Sequence, residues 1–137
     1  MEVKEADREY IRLKLAQARD AYEEAEGLLA GGADLGYVIN SLYYACYYPV
    51  LALLHAKGIP AATQSVSIAL FEREFVADGL FEKRFLDAMR RAFDLKPKCS
   101  PGELKMLVRS EVEALLAEAK EFLEAVALQT GITLASS

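Results

Sequence analysis

The sequence predicts an all-α protein, an antiparallel up-and-down bundle of four to five helices, and three observations carry that prediction. Apolar residues recur at helical spacing through most of the 137 residues. No segment alternates as a strand for more than a few positions. Glycine and proline stand where the periodic stretches stop, at Gly31-Gly32, Gly58, Gly79 and Pro97. A hydrophobic content of 53% over this length supplies a core for one domain spanning 1–137.

The first helix is read from Ile11, Leu15, Ala18, Tyr22, Ala25 and Leu29, which share one face, and Gly31-Gly32 stops it. A second helix is expected from about Asp34, a candidate N-cap, to Lys57, with Gly58 as its stop. It holds the most unusual stretch in the chain: no charged side chain between Leu35 and Leu54, and Tyr43, Tyr44, Tyr47 and Tyr48 within six positions. Such a helix is buried nearly all round. The pairs Tyr43/Tyr47 and Tyr44/Tyr48 are four residues apart, so their rings stack along two neighbouring faces and each hydroxyl needs a partner or water. Pro49 cannot donate to the Ala45 carbonyl, so a kink is expected after the cluster. The stretch is long enough to span a membrane. Asn40, Ser41, four phenols and Pro49 argue instead for a central bundle helix, and no membrane association is expected.

Thr63-Gln64-Ser65 offers caps for a short helix from about Val66 to Ala77, ended by Asp78-Gly79. A fourth helix carries Phe81, Phe85, Met89, Ala92 and Phe93 and closes at Pro97. The last has the cleanest stripe, Val112, Leu115, Leu116, Ala119, Phe122, Leu123 and Val126. Capping boxes stand at Ser100–Glu103 and Ser110–Glu113; the second is preferred, which leaves Lys96 to Arg109 mostly irregular.

A net charge of −5 argues against nonspecific wrapping of nucleic acid. Between Lys83 and Arg109, however, eight bases stand against three acids. The first residues, Met1-Glu2-Val3-Lys4-Glu5, lack the apolar run of a secretory signal, and the two cysteines, Cys46 and Cys99, read as free thiols; a cytoplasmic protein is expected. Catalytic motifs are sparse. The single histidine, His55, has Ala52 three residues before it, unlike the Glu and His pairs of di-iron bundles, and Cys46, Cys99 and His55 lack close zinc-ligand spacing. There is no phosphate-cradling glycine loop and no Gly-x-Ser-x-Gly elbow. No cofactor or metal is expected, and His55 reads as a residue at a helix C-terminus.

Three segments, Asn40-Ser41-Leu42-Tyr43-Tyr44-Ala45-Cys46-Tyr47-Tyr48, Ala52-Leu53-Leu54-His55-Ala56-Lys57-Gly58-Ile59 and Ile68 to Val76 with Gly79, followed by the last helix, make the chain resemble the HEPN domain family of bacteria and archaea. The resemblance covers nearly the whole chain. It implies an up-and-down bundle, commonly dimeric, often paired with a small nucleotidyltransferase in a toxin–antitoxin module. Several branches are metal-independent RNases with an Arg-x(4–6)-His motif. This chain has no such motif: Ser41 and Tyr48 stand where relatives often carry Arg and His, and Leu95-Lys96-Pro97-Lys98 occupies the loop where relatives tend to carry Arg. Asn40, Tyr43 and Tyr44 match the family and are carried over as groove-lining residues.

The reading that follows is a noncatalytic HEPN-like binding subunit, homodimeric, with a nucleotidyltransferase, nucleotide or RNA as partner. Arg91, Lys96 and Lys98 would hold phosphate while a base stacks on a tyrosine of the Tyr43–Tyr48 cluster. The uncharged second helix is the expected dimer face. Two alternatives are a divergent RNase toxin in which Lys96 and a tyrosine replace Arg and His, and a scaffold that only dimerises.

Overall fold

The structure, a computed structural model, describes residues 1–60, 62–96 and 107–134. Five helices follow a short 3₁₀ turn at Glu5–Asp7: α1 (Arg8–Ala30), α2 (Leu35–Ala56), α3 (Gln64–Phe71), α4 (Lys83–Leu95) and α5 (Arg109–Thr130). No strand occurs among the described residues. Both the all-α class and the bundle predicted from periodicity are present.

α1 buries Ile11, Leu15, Ala18, Ala25 and Leu29, with Tyr22 half-buried on the same side. It packs along the length of α2, and α2 in turn touches α3, α4 and α5. A helix with neighbours on so many sides needs apolar side chains almost all round. That is why the charge-free stretch folds here, and why a helix long and apolar enough to cross a membrane has 72% of its most apolar window buried inside the bundle. α2 runs unbroken through the buried Pro49. It ends at Gly58, whose φ of 71° suits glycine, while Ile59 N–H donates to the Leu54 carbonyl at 2.9 Å and closes a Schellman-type cap.

Five phenylalanines, Phe71, Phe75, Phe81, Phe85 and Phe122, meet with ring centroids 5.3–6.2 Å apart in stacked, edge and tilted arrangements. This cluster pins α3, the π turn, α4 and the middle of α5 together.

Several boundaries differ from the sequence reading. Thr63 is the cap of α3, its Oγ1 accepting from Val66 N–H at 3.3 Å, so the helix starts at Gln64 rather than Val66. α3 then widens into a π-helical turn at Glu72–Val76 that local periodicity does not reveal. Asp34 stands at the N-cap of α2 but its side chain caps nothing. α5 begins at Arg109 behind Val108, so no capping box forms at Ser110. The Glu113 carboxylate instead accepts from Arg109 Nε at 2.9 Å, an attraction four residues apart that displaces the box. The alternative box at Ser100–Glu103, the closure at Pro97 and the thiol of Cys99 lie outside the described residues.

Candidate functional site

The two tyrosine pairs of α2 divide between core and surface. Tyr43 is fully buried and donates its hydroxyl to Gln64 Oε1 at 2.9 Å, so the start of α3 supplies the partner that a buried phenol needs. Burial, reinforced by the neighbouring Tyr47 and Tyr44, pushes the Tyr43 phenol well above its ordinary pKa. Tyr43 and Tyr47 stack with centroids 5.7 Å apart at 17°. Tyr44 and Tyr48 are also 5.7 Å apart, tilted at 34°, and both are half-buried at the edge of the bundle.

On the same side as Tyr44 and Tyr48 lie Tyr37, 67% exposed, the exposed Asn40 and the half-buried Leu51. These five residues stand at i, i+3, i+7, i+11 and i+14, one continuous stripe of α2 that no described helix covers. Asn40 is therefore a surface residue of this stripe.

Two lysines border it. Lys96, just past α4, places Nζ 5.0 Å from the Tyr43 ring centroid, 5.4 Å from that of Tyr44 and 6.0 Å from that of Phe93. Lys14 of α1 lies 5.5 Å from the rings of both Tyr48 and Tyr10. Both are cation–π distances. Among the described residues neither lysine is paired with a carboxylate. Of the site residues read from sequence, the structure thus brings together Asn40, Tyr43, Tyr44, Tyr48 and Lys96. Lys98 lies outside the described residues.

Arg91 is placed elsewhere. Its Nε and Nη2 donate to the two carboxylate oxygens of Glu111 at 3.1 and 3.2 Å, a bidentate tie from α4 to α5. Glu111 holds the Arg91 guanidinium protonated more firmly than usual. The other arginines of the basic segment are committed in the same way: Arg84 to Glu82, Glu118 and Glu121, Arg90 to Glu72 in bidentate geometry, and Arg109 to Glu113.

His55, at the last turn of α2, has a more specific role than a dipole partner. Its Nε2 lies 3.0 Å from Asp7 Oδ1, and its ring stacks on Tyr10 with centroids 4.0 Å apart at 27°. Asp7 and Tyr10 thereby tie the chain's first turns to the end of α2 beside a shallow pocket edged by Lys4, Lys57 and Pro60. Among the described residues no group of three His, Cys, Asp or Glu side chains could hold a metal ion.

Sequence reasoning missed Tyr37, Leu51 and Lys14. The first two were available from the spacing of seven that links Tyr37, Tyr44 and Leu51 along an uncharged helix. Lys14 was signalled only by its place four residues after Tyr10 on α1.

No family model matches the chain. It is similar to the UPF0332 protein of Thermotoga maritima, with 34% identity over 126 residues that span 92% of each chain.

Proposed function

The chain belongs to the UPF0332 family, and from that premise we propose that it is a noncatalytic HEPN-like subunit that docks a protein partner on the α2 stripe, the partner being a small nucleotidyltransferase of the toxin–antitoxin type. One observation carries the reading. Arg91, the arginine expected to hold phosphate, is spent on Glu111, as Arg90 and Arg109 are on Glu72 and Glu113, whereas no helix among the described residues covers the aromatic stripe of α2. Exposed, contiguous apolar and aromatic surface marks an interaction site, and tyrosine is among the residues that anchor such interfaces most strongly.

The divergent RNase alternative is weakened for Tyr43, the ring nearest Lys96. Lys96 lies beside Tyr43, but a phenol whose pKa is raised by burial is the opposite of what a general base near neutral pH requires. A second reading keeps support from the two lysines: single-stranded RNA could stack bases on Tyr44 and Tyr48 and set phosphates on Lys14 and Lys96.

The test is to determine the mass of the purified protein in solution and titrate it with labelled single-stranded RNA at low and moderate salt, following binding and cleavage. The protein-docking reading predicts neither cleavage nor tight binding. Binding that weakens steeply with salt and is lost on Lys96→Ala would overturn it in favour of RNA, and cleavage lost with the same substitution would restore the RNase.

A further inference from the structure

Resting on the reading of the α2 stripe as a docking face, the chemistry of its occupant can be narrowed by register and charge. Tyr37, Tyr44 and Leu51 recur every seven residues, with Asn40 three residues after the first. Spacing of three and seven is that of a helix-packing seam, and an asparagine in such a seam fixes register and partner. From Tyr37 to Leu51 the stripe rises about 21 Å along the helix axis, enough for roughly four turns of a helix lying beside it. Nucleic acid has no reason to follow a seven-residue repeat.

Charge sets the sign. Lys14 and Lys96 sit at the borders of the stripe, on tyrosine rings, without a carboxylate partner among the described residues. α2 itself supplies none, since it carries no acid between Leu35 and Leu54. Charges that flank a helical seam select the partner by opposite sign. A second copy meeting this face with its own would set the two lysines of each copy against the other's acid-free α2. We propose that the occupant is an amphipathic helix of a partner protein, apolar along its seam and carrying Asp or Glu on the flanks that meet Lys14 and Lys96, and that it completes the bundle as an additional helix.

Two synthetic helical peptides test this, both with leucine at the seam positions, one flanked by glutamate and the other by lysine, with binding to the full chain followed by fluorescence anisotropy. The glutamate peptide should bind the wild-type protein at least about fivefold more tightly than the lysine peptide. The double variant Lys14→Glu, Lys96→Glu should reverse that order, and added salt should shrink the difference. Equal binding of the two peptides, or no binding of either, would overturn the acidic-helix assignment. The variant Tyr44→Ala, Tyr48→Ala separates the two levels. If peptide preference is absent but both peptides are weakened by the tyrosine changes, the acidic chemistry falls and the docking face stands. If the tyrosine changes leave binding untouched, the face itself is wrong. A wild-type protein that is dimeric, becomes monomeric in the tyrosine variant and binds neither peptide would make the occupant a second copy and overturn the proposal.

Discussion

α2 and α4 present opposite cases of how charge in a sequence becomes charge on a surface. α4 and its flanks hold the densest run of bases in the chain, yet Arg84, Arg90 and Arg91 each meet carboxylates from the π turn after α3, from α5 or from the turn before α4. Arg91, read from sequence as a phosphate ligand, is instead a strap holding α4 to α5. α2 contains no charged residue over its apolar stretch, yet its exposed stripe is bordered by two lysines from elsewhere in the chain. Charge counted along the chain says where cations are; only the fold says which of them still face outward.

Core and stripe can be separated within the tyrosine cluster itself. Tyr43→Ala removes a fully buried ring and orphans Gln64, so a loss of about 3–5 kcal/mol in unfolding free energy is expected from denaturant titration. Tyr48→Ala, on the half-buried stripe, should cost no more than about 1 kcal/mol. Equal losses would break the division of α2 into two faces.

Cys46 reports on the buried face by chemistry. Burial pushes its thiol up to about 12, so at pH 8 it should resist thiol reagents until the protein unfolds. Cys46→Ser, which puts a hydroxyl in an apolar site, should cost about 1–3 kcal/mol. Rapid labelling of Cys46 in the native protein, resolved from Cys99 by peptide mass, would show that this side of α2 is open.

On α4 the expected effects are smaller. Arg91→Ala should lower the thermal midpoint only slightly, and less at high salt, because the pair with Glu111 is solvent-exposed. A large loss would mean that the straps stabilise the bundle more than exposed pairs do. The smallest effect concerns Glu72, whose carboxyl is held below the usual range by its hydrogen bonds to Arg90. A depressed carboxyl contributes stability above its unfolded pKa, and that contribution disappears as pH falls through the lower folded value. Acid titration of wild type and Arg90→Gln should therefore show the variant missing a small part of the stability that the wild type retains between those two pH values.

Much of this was legible in the sequence, for physical reasons that also mark the boundary. Helical periodicity exposes any face that must be buried, so the stripes of α1 and α5 and the central position of α2 were readable from Ile11 to Leu29, from Val112 to Val126 and from the charge-free run. Tyr44, Tyr48 and Lys96 lie on one side of the molecule, while Tyr43, read as groove-lining, is fully buried in the core. Long-range pairing was not readable. Nothing near Arg91 in the chain points to Glu111, nothing near His55 points to Asp7, and Lys14 gives no local sign that it will border Tyr48. Partner choice across tens of residues depends on how helices cross, and hydrophobic period does not encode that. Even local rules compete: at the start of α5 an Arg109–Glu113 pair replaced the capping box that the same glutamate could have closed.

The claim that the working face belongs to α2 and not to α4 is tested most directly by measuring, with calorimetry, the affinity of a small nucleotidyltransferase from the same genome for the Tyr48→Glu and Arg91→Ala proteins beside wild type, each shown by circular dichroism to be folded. Tyr48→Glu should weaken binding at least about tenfold while Arg91→Ala stays within about twofold of wild type. Binding that survives Tyr48→Glu and is lost with Arg91→Ala would contradict the account and return the site to the basic segment.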